Sequence, residues 1–171
     1  MITGIVCVDR NWGIGKKNDL LFHLKKDMQF FRQTTADSIV VCGYNTLLSF
    51  PGSKPLKGRS TICLCPEKVE RDDCFCVHDF DQMVKLVKEL AKTKVVWVIG
   101  GAMLYKSMLP YYDSVYVNKV DADGEAEVFF PNLDAYDGMS LYKVFPEVED
   151  EGYLTRLHLY TKNISLEDLE G

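Results

Sequence analysis

Apolar and polar positions fall along this chain in blocks that predict a repeating strand–helix order. Ile2 to Val8 is a short, nearly continuous apolar run and reads as a buried first strand. Ser38 to Cys42, closed by Gly43, reads the same way, as do Thr61 to Cys65, Cys74 to Val77 and Val115 to Val120. Val95-Val96-Trp97-Val98-Ile99 is unbroken, β-branched and aromatic, which predicts a central strand covered on both faces. Between these runs the period changes. Leu24, Met28 and Phe31 recur at i, i+4 and i+7 and predict a helix ending near Thr34-Thr35. Tyr44 to Phe50 has room for a short helix before Pro51-Gly52 stops it. Asp79 with Gln82 forms a capping box, behind which Phe80, Met83, Val84, Val87, Leu90 and Ala91 share one helix side. A further helix runs from about Ala102 to Leu109, ahead of Pro110. Leu141 to Phe145 and Tyr153 to Tyr160 read as a closing strand pair around an acidic loop, the second alternating as an antiparallel strand near an edge does.

Alternating strands and helices define an α/β class. The expected fold is a mostly parallel central sheet of about eight strands, with an antiparallel C-terminal edge strand and about four flanking helices. No internal repeat or linker divides residues 1–171, so a single domain is expected. Such a sheet presents ligands at the carboxyl ends of its strands. Asp9 to Phe22 reads as a long, glycine-punctuated loop, and loops of that length are usually functional.

Composition narrows the function. The 171 residues are 47% hydrophobic and 26% charged, as in ordinary globular domains. A net charge of −5 without a basic block argues against a nucleic-acid surface. No apolar run is long enough for a membrane span. The start lacks the basic residues and cleavage site of a signal peptide, so a cytoplasmic protein is expected; a monomer is expected separately, without a motif that decides it. Of the six cysteines, Cys63-Leu64-Cys65 and Cys74-Phe75-Cys76 resemble metal-ligand pairs. Their gap is narrower than zinc sites use, and they lie in β-type runs where both thiols share a face, so buried hydrophobes are the better reading.

The candidate chemistry starts at Asp27. It falls three residues after Leu24 and four before Phe31, on the apolar face of its helix. A carboxylate there loses hydration and needs a partner. The same residue also lies in the first helical turn, where the macrodipole favours an acid, and position alone leaves both readings open. Two strands run through glycine straight into helices, at Gly43-Tyr44-Asn45-Thr46 and at Ile99-Gly100-Gly101-Ala102. Helix N-termini with glycine suit phosphate, and two such junctions suit a dinucleotide; they are equally the geometry of ordinary tight turns. Neither carries the G-x-G-x-x-G fingerprint of a standard Rossmann dehydrogenase.

Taken together, Asn11-Trp12-Gly13-Ile14-Gly15, Asp19-Leu20, Asp27 with Phe30-Phe31, Val41-Cys42-Gly43 with Thr46 and Ser49, Pro55-Leu56-Lys57-Gly58-Arg59, Ile99-Gly100-Gly101-Ala102 with Tyr105, and Glu125 to Pro131 resemble the dihydrofolate reductase family in order and spacing, over nearly the whole chain. The resemblance implies reduction of dihydrofolate by hydride transfer from NADPH to pterin C6, in folate metabolism. Asp27 would bind the 2-amino group and adjacent ring nitrogen of the pterin. Arg59 would grip the glutamate α-carboxylate. Ile5, Val6, Leu20, Met28, Phe31, Ser49, Phe50, Leu56, Ile99 and Asn118 would complete the substrate site, which would also take antifolate-type molecules. The implied cofactor residues come from four stretches. The first holds Cys7, Gly13, Ile14, Gly15, Asn18, Asp19 and Leu20, in a loop that would close as a lid. The second holds Gly43, Tyr44, Asn45 and Thr46. The third holds Leu64, Cys65, Pro66 and His78. The fourth holds Ile99, Gly100, Gly101, Ala102, Met103, Leu104 and Tyr105.

This chain departs from the family pattern in four places. Leu21-Phe22 replaces Pro-Trp, and phenylalanine cannot supply the indole N–H. Asn118 replaces the usual threonine partner of the acid. Glu127 stands where an aspartate braces the lid. Tyr44 replaces the arginine that meets the adenosine 2′-phosphate, while Cys65-Pro66 and Met103 occupy neighbouring positions often filled by hydroxyl or arginine side chains. That leaves His78, Asn45 and a nearby lysine to meet the phosphate, so NADH use is expected beside NADPH. Two other functions compete: a related reductase acting on a ribosylated pyrimidine in flavin synthesis, and a catalytically idle nucleotide-binding module.

Overall fold

The computed structural model describes residues 1–165; positions 166–171 of the expected 1–171 domain lie outside the described residues. The chain opens with β1 (Ile2–Val8), then β2 (Gly13–Lys16) and β3 (Asp19–Leu20), then α1 (Lys25–Thr35). Next come β4 (Ile39–Gly43), α2 (Tyr44–Ser49), β5 (Ser60–Leu64), β6 (Phe75–Val77) and α3 (Phe80–Ala91). They are followed by β7 (Val96–Gly100), α4 (Ala102–Ser107), β8 (Ser114–Val120) and β9 (Val128–Phe129). The chain closes with β10 (Met139–Val144), β11 (Val148–Asp150) and β12 (Tyr153–Lys162).

Among the described residues, nine strands form the main sheet, in the order β10-β12-β8-β1-β7-β4-β5-β6, with β11 paired to β12. The six strands from β8 to β6 run parallel. The closing strands supply the antiparallel edge: β12 is antiparallel to both neighbours, and β10 is outermost. The central strand read from the sequence is β7, where Val96, Trp97 and Val98 are buried. It inserts between β1 and β4, so the carboxyl ends of those three strands stand side by side. The expected helix starts hold as well: the Asp79 side chain accepts the Asp81 N–H at 2.7 Å and caps α3.

Residues 9–22 differ from the expected loop. Two short strands, β2 and β3, form a hairpin whose turn is Lys17-Asn18, both with positive φ, and β2 pairs with β9. Side-chain alternation does not announce these strands because backbone contacts make them. A Cβ on Gly13 would lie 2.3 Å from the Ala126 Cβ, and one on Gly15 would lie 2.9 Å from Val128. These glycines let the hairpin lie flat on β9. Asp9, 2% exposed, ties the base down: it accepts N–H groups of Asn11 and Gly13 on Oδ1 and of Gly124 on Oδ2. Trp12 is wedged between Phe130 and Tyr160, with the Lys119 ammonium 4.7 Å above its ring.

The cysteines of β4, β5 and β6 form a row. Cys42 stands in register with Cys63 and Cys63 with Cys76, and the Cys65 and Cys76 sulfurs are 3.3 Å apart. With Leu47 they make a small core of their own beneath α2.

Candidate active site

The cleft is built where β1, β7 and β4 end. Asp27 is the third residue of α1 and sits over the end of β1. Its Oδ1 accepts the Asn118 side-chain N–H at 2.9 Å, from β8. The Cys7 thiol, on β1, is a second partner of the same carboxyl. Burial pushes the Asp27 carboxyl above the ordinary carboxylate value; the Asn118 bond pulls the other way, the Asp150 charge adds to the rise, and the Cys7 bond again lowers it. The Cys7 thiol is raised by its own burial and by the two nearby acids. It therefore holds its proton and donates to Asp27. Asp27 lies in the first turn of α1, as the macrodipole reading has it, and its carboxyl is also desolvated and bonded to Asn118 of β8, so the two readings hold together.

Around this acid the sequence-derived residues converge unevenly. Ile5, Phe31 and Ile99 lie in one apolar cluster with Phe30, Val40, Trp97 and Tyr116. Ile99 also touches the second cluster, which holds Phe50 and Tyr44, so it bridges the two halves of the cleft. Met28 is 45% exposed, although its helical spacing matches a core position. The apolar face of α1 is thus only partly covered by the protein itself. Leu56 is half-buried, Val6 buried, and Ser49 exposed with its hydroxyl donating to the Thr46 carbonyl. Arg59 is anchored at the far end of α1: Nε meets the Thr35 hydroxyl, and its terminal nitrogens donate to the carbonyls of Lys57 and Arg32. Three anchors fix the fork while leaving N–H groups to spare.

The two glycine junctions face each other. A Cβ on Gly43 would lie 3.8 Å from the Gly101 nitrogen, and one on Gly101 would lie 3.0 Å from the Thr46 hydroxyl. The Gly100–Gly101 peptide bond is cis. Tyr105 is buried and donates to the Ile5 carbonyl at 2.8 Å, joining this junction to β1. Leu104 is buried in the main core, whereas Ala102 is half-buried and Asn45 and Met103 are exposed. Asn18, Asp19 and Leu20 are exposed at the hairpin tip, and Ile14 packs toward the main core. Leu64, Cys65 and Pro66 end β5, where the Pro66 carbonyl bonds His78 Nδ1 and Glu70 bonds His78 Nε2 at 3.1 Å.

Two residues escape the sequence reading. Arg71 pairs with both oxygens of Asp73 and donates to the Ser53 carbonyl, and its charge reaches Tyr44. Asp150, in the acidic loop, accepts the Lys26 and Asp27 N–H groups. One signal could have located it: Leu24 stands at the helix start and has no acceptor to cap with, so an acceptor must come from elsewhere.

A parallel sheet whose central strand ends in a glycine cleft, with a desolvated acid on one wall, defines an α/β enzyme. Comparison with known proteins specifies which. The family model described as dihydrofolate reductase matches residues 1–162. Dihydrofolate reductase of Bos taurus is 31% identical over 93% of this chain and 96% of its own length. That of Staphylococcus haemolyticus is 29% identical, over 94% of this chain and 95% of its own. A solved structure of dihydrofolate reductase from Enterococcus faecalis, complexed with NADP(H) and RAB-propyl, superposes with a TM-score of 0.83 at 26% identity, covering 96% of this chain and 97% of that one. The chain belongs to the dihydrofolate reductase family, and is an oxidoreductase of folate metabolism that reduces dihydrofolate. Among the described residues, no helix is long and apolar enough to cross a membrane.

The raised Asp27 carboxyl has a stability consequence with a definite sign. The folded state holds this proton to higher pH than the unfolded chain does, so this group's contribution to stability is fully present below the ordinary value of 3.8 and is lost as pH rises through the folded value. Asp27→Asn removes the penalty. Its melting temperature should exceed the parent's by a few degrees near pH 7, and the gap should close toward pH 3.8. Thermal unfolding at a series of pH values checks this; a less stable variant at neutral pH contradicts it.

Proposed function

We propose that Asp27 holds the 2-amino group and adjacent ring nitrogen of dihydrofolate while the pterin lies on Ile5, Phe31 and Ile99. The observation that carries this reading is a partly desolvated carboxyl bonded to Asn118 and Cys7, on the helix whose Phe30 and Phe31 join the apolar cluster of Ile5 and Ile99. An amidine-like edge offers that carboxyl two charge-assisted hydrogen bonds. Binding there orients the ring and polarises it toward protonation at N5 by water. Phe31, Phe50, Leu56 and Met28 flank the benzoyl portion, and the anchored fork of Arg59 receives the glutamate carboxylate.

A nicotinamide dinucleotide fits the facing junctions. A Cβ at Gly101 would stand 3.0 Å from the Thr46 hydroxyl and one at Gly43 3.8 Å from the Gly101 nitrogen, so the two junctions bring bare backbone and a hydroxyl together where a phosphate could be held. When bound, the reduced nicotinamide supplies the hydride that reaches pterin C6. The hairpin of residues 13–20, held by β9 and by Asp9, covers the cleft and excludes water. A lid of this kind commonly limits turnover.

The adenosine end favours a modest preference for NADPH. Tyr44 carries no charge to meet a 2′-phosphate. His78 is already bonded to Glu70, and Arg71 is paired to Asp73. Each missing charge-assisted bond forgoes about 1.5–3 kcal/mol.

Two measurements test these assignments. Asp27→Asn keeps the shape and removes the charge, so dihydrofolate turnover should collapse by at least about a hundredfold, the loss expected when about 3 kcal/mol of oriented binding disappears, while NADPH affinity stays near that of the parent. Unchanged turnover would overturn the role given to this acid. Second, NADH should support turnover, with a kcat/KM ratio of NADPH to NADH below about a thousandfold, or roughly 4 kcal/mol. A larger ratio refutes the account of the adenosine end.

A further inference from the structure

The acidic loop between the closing strands brings a second carboxylate against Asp27. Asp150, the last residue of β11, is 2% exposed. Its Oδ1 accepts the Lys26 N–H at 3.2 Å and its Oδ2 the Asp27 N–H at 3.0 Å. These groups belong to the first turn of α1, where Leu24 cannot serve as a cap. A hydroxyl or an amide would satisfy the same N–H groups without burying a charge. A carboxylate suits the positive end of the helix as well, but here it does so beside a second acid, the Asp27 carboxyl, whose rise it adds to.

We propose that Asp150 is a positioning residue for dihydrofolate reduction: it clamps the turn that carries Asp27 to β11 and places a second negative charge beside the carboxyl that binds the pterin. The inference rests on the reading of Asp27 given above. Each element packed around that carboxyl supplies a known group. Cys7 comes from β1, neutral Asn118 from β8, Tyr105 from α4 and Asp150 from β11. On α1 itself, Lys25 pairs with Glu151 and the Lys26 ammonium with the Glu149 carbonyl. Neither lysine neutralises the pair of acids. Two adjacent carboxyls resist being ionised together, so Asp150 helps Asp27 keep its proton. An acid that protonates readily can share a proton with the ring nitrogen it faces.

Asp150→Asn keeps an acceptor for the helix and removes the charge; Asp150→Ala removes both. The Asp27 carboxyl carbon is followed by NMR against pH, its signal assigned by its loss in Asp27→Asn, alongside the pH profile of turnover and the melting temperature. Both Asp150 variants should move the Asp27 midpoint to lower pH. The fall in turnover with rising pH should begin correspondingly earlier. Asp150→Ala should also lose about 2–4 °C of melting temperature for the missing cap, and Asp150→Asn less. A lowered melting temperature with an unmoved Asp27 midpoint would reduce Asp150 to a cap and overturn the proposal. Should Asp150→Ala fail to fold, Asp150→Asn decides alone. Parent-like turnover in Asp27→Asn would instead refute the role of Asp27, while the NMR midpoint still reports on Asp150.

Discussion

One carboxyl held partly out of water organises this molecule. Asp27 is costly where it stands: burial penalises its charge, and Asp150 stands at its back. The fold tolerates it by giving it specific partners from three other elements. Asn118 donates from β8, Cys7 from β1, Asp150 fixes its backbone from β11, and α1 carries it. Because the partners come from strands far apart in sequence, the acid is placed only when the whole sheet has formed. The placing of this carboxyl and the topology of the sheet are here one constraint.

The same economy appears on the opposite wall. β7 enters the sheet late and lies between β1 and β4, so its glycine end faces the glycine end of β4. Tyr105 links that junction to the Ile5 carbonyl and so to the strand beneath Asp27. Ile99 belongs to both apolar clusters and forms the floor between them. The hairpin of residues 13–20 is held at its base by the buried Asp9 side chain and an aromatic wedge, while its tip at Asn18 to Leu20 is exposed.

Much of the main sheet was legible because its strands are long apolar runs and its turns are marked by glycine and proline. The hairpin was not, since β2, β3 and β9 are defined by backbone pairing with almost no side-chain alternation. Gly13 and Gly15 look like features for approaching a ligand, yet the closest atoms to them are Ala126, Asp9 and Val128. Helical spacing identified Asp27, Met28 and Phe31 but could not say that part of that face stays open; the 45% exposure of Met28 shows it. Asp150 and Arg71 were invisible because each acts through a partner distant in the chain or hidden in a charged loop. Cys7 was placed with the cofactor residues, and the structure gives it a contact with the acid as well.

The central claim is that the Asp27 carboxyl recognises the 2-amino edge of a pterin. Its most direct test is a binding cycle: the dissociation constants of a 2-amino pterin and its 2-deamino analogue, each measured with the parent enzyme and with Asp27→Asn. The account predicts that the parent favours the amino compound by about tenfold to a hundredfold, as expected for one charge-assisted bond, and that the variant scarcely distinguishes the two. Equal binding of both compounds by the parent, or an undiminished preference in the variant, would contradict it.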